Sequence, residues 1–400
     1  MGMTEAGNSF TPGQVAFLAS TEFGRVRGEF HDIIEKYADS FRIQTQLRKR
    51  FPALDPALIA AGASASALQR RAAGKTALPS AALFTAQSLE QASSAATARL
   101  HARLLADRVR VLEWCGGAGS DTLALSLLAD HVTVLEADAV VAAFLRHNIE
   151  AAGRANIPVL EDRAEHHASA LSLADFDSLF ADPSRRSDGR RSIAGEHYSP
   201  PLSLCERAAA SIPTMVKTAP ALDLASAFWK RIFVAVGREC REQLLLRGID
   251  APGVSCIDAE SGEQWIPGVA ECAAPELPRY LLEPHAAIIR TGAVRSYLAE
   301  FNAVPVDPRI AYGLASAPPP ASRWHARFEV LDALPFQRTR LQEAIRAHGF
   351  GPATEIKKRG FRLLPDEVRA MFRFDGDSPG VLVCTRIGDT HMAYLCKRME

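Results

Sequence analysis

Four acidic residues stand where an apolar run stops. Glu113 closes Val109-Arg-Val-Leu-Glu113, and Glu136 closes Val132-Thr-Val-Leu-Glu136. Asp162 follows Val159-Leu-Glu161, and Asp182 follows the run from Phe176 to Ala181. A carboxylate at a strand end can accept both hydroxyls of a ribose, hold an ammonium, or take a proton from a nucleophile. Between the first two acids runs Cys115-Gly-Gly-Ala-Gly-Ser-Asp121. Gly117 and Gly119 let backbone approach a ligand with no Cβ in the way. A helix pattern containing Leu123, Leu127 and Leu128 follows, so the turn opens onto a helix N-terminus. Counted from Gly117, a G-x-G-x-x-G run would need glycine where Thr122 stands, which argues against a dinucleotide pyrophosphate site.

The order of these groups suggests one ligand. Glu113 can take an ammonium, Glu136 a ribose diol and Asp162 an adenine amino group. Cys115, Asp121 and Arg163 belong to the same candidate set, and Asp182 faces its reactive end. A molecule with an amino-acid end, a ribose and an adenine is S-adenosylmethionine. Beyond it, Asp182-Pro183-Ser-Arg185-Arg186 and Gly189-Arg190-Arg191 form a dense cationic loop suited to phosphate. Lys217 ends the next apolar run and can pair with Asp182 or touch the acceptor.

Positioning these groups requires an α/β unit. Strands are expected near 109–114, 131–136, 156–161, 176–181, 212–217, 231–236 and 241–247. Helices fit 119–130, 138–152 and 201–211. The short link around 236–241 predicts a hairpin, so the sheet should end antiparallel. Residues 1–107 read as an all-helical domain, 108–250 as the sheet domain, 251–325 as a connecting segment rich in Pro and Gly, and 326–400 as a small β-α-β-α-β-β unit.

Net charge is zero, but it is unevenly spread. From Phe41 to Arg110 there are eleven Lys or Arg and three acids; from Val111 to Asp182 there are three Arg and twelve acids. A basic 41–110 segment beside an acidic core, with Lys357-Lys358-Arg359 near the C-terminus, favours a polyanionic partner. The seven cysteines form no CxxC pair and no zinc spacing, so no metal is expected and reduced thiols in the cytoplasm are. No apolar run reaches the ~20 residues that span a bilayer.

Several runs carry a family resemblance. Glu113-Trp-Cys-Gly-Gly-Ala-Gly-Ser-Asp121 resembles motif I of class I S-adenosylmethionine-dependent methyltransferases. Leu47-Arg-Lys-Arg-Phe-Pro52, Asp182-Pro-Ser-Arg-Arg186, Tyr198-Ser-Pro-Pro201, Val216-Lys-Thr-Ala-Pro220, Tyr280-Leu-Leu-Glu-Pro284 and Glu355-Ile-Lys-Lys-Arg-Gly360 resemble bacterial members with a C-terminal THUMP-like domain. The resemblance implies a Rossmann-like sheet, this cofactor and an RNA substrate. It departs from the usual motif at Cys115, where the first glycine is expected, and at Glu113, where Asp leads. The loop at Asp182 is similar in flavour to the Asp-Pro-Pro-Arg signature of 5-methyluridine enzymes. Those need a cysteine nucleophile where this chain has Lys217-Thr-Ala-Pro, so transfer onto nitrogen or oxygen without a covalent Cys intermediate is expected. Asp182, Pro183, Arg185 and Lys217 are the expected catalytic residues. The rival readings are a methyltransferase for a small molecule or protein side chain, and a catalytically silent binding protein.

Overall fold

The structure is a computed structural model that describes residues 10–166, 173–184, 186–187, 190–191, 194–224, 227–251, 253–269 and 278–400. Contacts divide the chain into two units. The first comprises Met1–Val234, Glu242–Gly253 and Asp258–Glu263, the second Ala235–Arg241, Val254–Ile257 and Gln264–Glu400.

The first unit opens with helices α1 (Pro12–Leu18), α2 (Thr21–Lys36), α3 (Ser40–Arg50), α4 (Pro56–Ala72), α5 (Ala86–Gln91) and α6 (Ala95–Leu104). Each start is written in the chain. Thr11, Ser20, Asp39, Asp55, Thr85 and Ser94 accept a backbone N–H of the first turn, and Pro12 and Pro56 occupy first-turn positions. Phe17, Phe23, Phe30 and Leu47 bury one face of these helices in a core that also takes Phe144 of the sheet region. The helical segment therefore shares a compact unit with the sheet.

The sheet follows as β1 (Arg110–Trp114), α7 (Ser120–Leu125), β2 (His131–Glu136), α8 (Ala139–Ala151), β3 (Val159–Glu161), β4 (Ser178–Ala181), the two-residue strands β5 (Arg186–Ser187) and β6 (Arg190–Arg191), α9 (Leu202–Ala209), β7 (Thr214–Thr218), β8 (Lys230–Val236) and β9 (Glu239–Arg247). Among these strands the order is β8-β9-β7-β4-β1-β2-β3, within a sheet of nine strands. β1 runs parallel to β2 and β4, β4 is parallel to β7, and β7 is antiparallel to β9. The strands lack period-two alternation because both faces are covered: Val111, Leu112, Leu179, Phe180 and Val216 are all inaccessible. Only Gly237 and Arg238 separate β8 from β9, as the expected hairpin requires. One helix is shorter than expected. α7 stops at Leu125, and Leu127 and Leu128 are exposed rather than on its buried face. Strand order reverses at β1, whose neighbours β2 and β4 lie on opposite sides. Such a switch point opens a crevice at the carboxyl ends of the two strands.

The second unit is built on a seven-stranded sheet. β10 (Val254–Asp258) and β11 (Gln264–Trp265) pair with each other; then come β12 (Tyr280–Pro284), α10 (Ala286–Arg290), α11 (Val294–Ala299), β13 (Val304–Asp307), β14 (Ile310–Ala315), β15 (His325–Pro335), α12 (Arg338–Ala347), β16 (Glu355–Lys358), α13 (Pro365–Met371), β17 (Val381–Ile387) and β18 (Thr390–Arg398). The order β13-β14-β12-β15-β18-β17-β16 places three strands of the expected connecting segment inside the sheet. Each has only four to six residues. Runs that short, two of them with a proline, carry little periodic signal. From β15 onward the β-α-β-α-β-β order is the one the sequence predicts.

Candidate active site

A cavity of about 500 Å³ opens at the carboxyl edge of β1, β2 and β4. Cys115, Gly117, Asp121, Glu136, Asp162, Arg163 and Asp182 line it, as do Ser88, Gln91 and Ser93 from the helical segment. Seven of the candidate residues thus meet around one space.

The loop after β1 is shaped by three left-handed residues, Cys115 (φ 68°), Gly117 (φ 55°) and Gly119 (φ 92°). Gly116 is closed in: a Cβ there would lie 2.3 Å from Val134 Cγ1. At Gly117 a Cβ would meet nothing within 4 Å, so its face is open toward the cavity it lines. Glu136 braces the loop, accepting the Gly117 N–H at 2.9 Å and the Asp138 N–H at 3.0 Å. Asp162 accepts the N–H of Arg163 at 2.7 Å. Buried Asn148 accepts the Leu83 N–H at 2.6 Å and donates to Leu83 O and Ala118 O, which ties the helical segment to the loop.

At the far end stand Asp182 and Lys217. Lys217 Nζ lies 2.5 Å from Asp182 Oδ2 and donates to Ser93 Oγ at 3.0 Å. Ser93 Oγ donates to Asp121 Oδ2 at 2.7 Å. Burial alone would lower the Lys217 ammonium, but Asp182, Asp121 and Glu242 raise it above its ordinary value, so it is a fixed cation.

Comparison with known proteins is consistent with this geometry. A THUMP domain-like family profile matches residues 325–398. The chain is 33% identical to an uncharacterised S-adenosylmethionine-dependent methyltransferase of Mycobacterium tuberculosis, represented in strains CDC 1551 / Oshkosh and ATCC 25618 / H37Rv. The match covers 88% of this chain and 99% of that protein. The chain belongs to the S-adenosylmethionine-dependent methyltransferases. Its fold is similar to that of a Porphyromonas gingivalis W83 crystal structure that carries the provisional name of methyltransferase, at TM-score 0.77 and 20% identity, over 98% of this chain and 100% of that one.

The cavity fits the cofactor of such a methyltransferase. Gly117 offers an open approach, Glu136 sits at the tip of β2, and Asp162 lies one strand beyond. Glu113 departs from its expected place. It is 1% exposed, does not line the cavity, and its Oε2 has no hydrogen-bond partner. Burial first, then Asp121, pushes its carboxyl well above the ordinary range under the loop. Gly119 also stays off the cavity wall and acts through its backbone angle. Pro183 is buried beside Asp182, and Arg185 lies outside the described residues. Arg186, Arg190 and Arg191 are described only as the β5–β6 pair.

The basic segment 41–110 spends part of its charge on the fold. Arg70 donates to Ile34 O at 3.2 Å, Lys75 bonds Leu89 O, and Arg50 pairs with Glu29. In the second unit, Lys357 lies 2.7 Å from Glu283 and 3.2 Å from Glu355, while Arg359 reaches Glu283 and sits over Tyr312. Those two cations serve internal pairs in place of the expected backbone grip, and Lys358 stands half-buried between them. Among the described residues no group of three or more His, Cys, Asp or Glu could hold a metal, and no helix is long and apolar enough to cross a membrane.

Two residues escaped the sequence reading. His101 on α6 is fully buried, with Nδ1 2.7 Å from Asp121 Oδ1 and Nε2 2.6 Å from Glu242 Oε1. Burial works against its charge, but Glu242 and then Asp121 win and raise the imidazole to about 10. Asp121, in turn, falls to about 2: burial opposes the drop and the His101 charge outweighs it. A raised folded value stabilises fully below the unfolded one and is lost as pH climbs through the folded one. The melting temperature of the methyltransferase should therefore decline between pH 7 and 10. Calorimetry should find a shallower decline in the charge-balanced His101→Gln/Glu242→Gln variant.

Cys115 gives a second pH dependence. Burial, then Glu136 and Asp182, push its thiol well above the ordinary value. Iodoacetamide should alkylate it slowly at pH 7 and faster with each rise in pH, since the thiolate is the reactive form. S-Adenosylhomocysteine should slow the reaction further, which peptide mass spectrometry can follow.

Proposed function

We propose that this methyltransferase transfers the methyl group to a nitrogen or oxygen of RNA, with no covalent enzyme intermediate. The observation that carries the reading is the pair between buried Lys217 and Asp182 of the cavity wall, with Lys217 in the region where the 5-methyluridine enzymes need a cysteine. Thr218-Ala219-Pro220 supplies no thiol there. Cys115, the cysteine that does line the cavity, is held as a neutral thiol. The THUMP domain-like match at 325–398 and the basic helical segment support RNA as the acceptor.

When bound, S-adenosylmethionine supplies an electrophilic methyl group. Glu136 would accept the ribose hydroxyls, Asp162 and Arg163 would hold the base, and the Gly117 backbone would hold the amino-acid end. Asp182 holds the acceptor N–H or O–H and takes its proton as the methyl group arrives. Lys217 keeps Asp182 oriented. Pro183 stiffens the chain behind it, and Arg185, with the other loop arginines, is the proposed phosphate grip. Catalysis is then mainly alignment plus removal of one proton.

The test is methyl transfer from labelled S-adenosylmethionine to total RNA from cells lacking the gene, with nucleoside mass spectrometry of the product. Label in one modified nucleoside, absent from the deletion strain, is the expected result. Tight donor binding with no label in any RNA fraction would overturn the RNA assignment.

A further inference from the structure

Five hydrogen bonds run in file from the interior to the acceptor end. Glu242 on β9 meets His101 at 2.6 Å, His101 meets Asp121 at 2.7 Å, Asp121 meets Ser93 at 2.7 Å, Ser93 meets Lys217 at 3.0 Å, and Lys217 meets Asp182 at 2.5 Å. His101, Glu242 and Lys217 do not line the cavity; Ser93, Asp121 and Asp182 do.

We propose that His101 and Glu242 are positioning residues, which set the orientation of Asp182 through Asp121, Ser93 and Lys217. The chemistry of the donors fixes every bond in the file. Ionised carboxylates only accept and an ammonium only donates. Ser93 must therefore accept from Lys217 and donate to Asp121. His101 must donate from both ring nitrogens, so it is an imidazolium. No member can reverse without leaving a buried charge unpaired. The ring cannot rotate either, since it is held at both nitrogens and lies 5.2 Å from the Phe180 ring.

The groups facing His101 are Asp121 of α7, Glu242 of β9 and Phe180 of β4, with Lys217 of β7 beyond Asp121. Two cations thus stand among three carboxylates. Charge balance alone would be a structural role, and it would be served by any pairing. The added claim is directional: the file aims Lys217, and Lys217 aims Asp182. Ser93 is the informative link because it carries no charge.

This inference rests on Asp182 serving the acceptor end, so its test has two arms. In the first, 15N-histidine NMR of the intact protein reads the ring directly. His101 should show two protonated nitrogens at pH 8; a single protonated nitrogen would overturn the proposal, whatever the acceptor is. In the second, methyl transfer to total RNA is measured for Ser93→Ala, Ser93→Thr and His101→Gln/Glu242→Gln. Ser93→Ala should keep donor affinity within about twofold and the acceptor KM near wild type, while kcat falls roughly tenfold, the size expected when a reacting group is slightly misplaced. Ser93→Thr retains the hydroxyl and should recover most of kcat. The double variant should fold and show the lower kcat, with the limb of the pH–rate profile that reports Asp182 displaced. Wild-type kcat in Ser93→Ala would overturn the proposal. If the wild-type protein labels no RNA, the RNA reading fails, and the NMR arm alone decides the file.

Discussion

Asp182→Asn should bind S-adenosylmethionine with near-native affinity and transfer almost nothing. The expected fall in kcat is about 10²–10⁴-fold, the usual contribution of a positioned proton acceptor. Asparagine keeps the shape of the side chain but cannot take a proton. It also removes the carboxylate that Lys217 Nζ meets at 2.5 Å. Asparagine and alanine alike take that carboxylate from Lys217; removing one partner of a buried pair costs about 3–5 kcal/mol, and unfolding would then imitate lost catalysis. A control separates the two effects. Asp182→Asn/Lys217→Met removes both charges and should regain thermal stability without regaining turnover. Single-turnover transfer and calorimetric titration with S-adenosylhomocysteine would read both quantities. An Asp182→Asn enzyme with native kcat would remove Asp182 from the chemistry.

Gly119→Val should abolish donor binding. The residue sits at φ 92°, and an added Cβ would lie 2.7 Å from Leu145 Cδ1. A β-branched residue at such an angle is strained by a few kcal/mol before any contact is counted. The strain falls on the turn that feeds α7, whose first residues are Ser120 and Asp121. Relief would require the loop to move, and the loop carries Gly117 and the bond to Glu136. A rise in Kd of at least about 100-fold, roughly 2.7 kcal/mol, is the expected result. Gly153→Ala serves as the comparison: φ there is 72°, and a Cβ would meet nothing within 4 Å. It should lower stability modestly and leave donor binding alone.

The legible parts of the site were those written locally. An apolar run ending in an acid places Glu136, Asp162 and Asp182 on one edge, because β2, β3 and β4 run parallel in one sheet about β1. The glycine turn was equally plain. Glu113 misled for a reason of depth. Its position in the run is that of the others, but it lies under the loop, and only packing reveals that. His101 was invisible because its partner Glu242 is 141 residues away. No spacing rule links them, and a histidine in an Ala-rich helix looks like surface. The Lys357-Lys358-Arg359 run misled in the opposite direction. Its neighbour Glu283 is 74 residues earlier than Lys357, in a stretch read as a linker, so cations that are internally paired looked available.

The charged file also bears on what a minimal version of this protein could be. Asp121, Lys217 and Glu242 belong to the sheet and its first helix, while Ser93, in the link between α5 and α6, and His101 of α6 come from the helical segment before it. A fragment beginning at β1 would keep two interior acids and lose the imidazolium between them. The amino-terminal helices are therefore no removable lid. They are a wall joined to the sheet by one buried cation, His101, and one hydroxyl, Ser93.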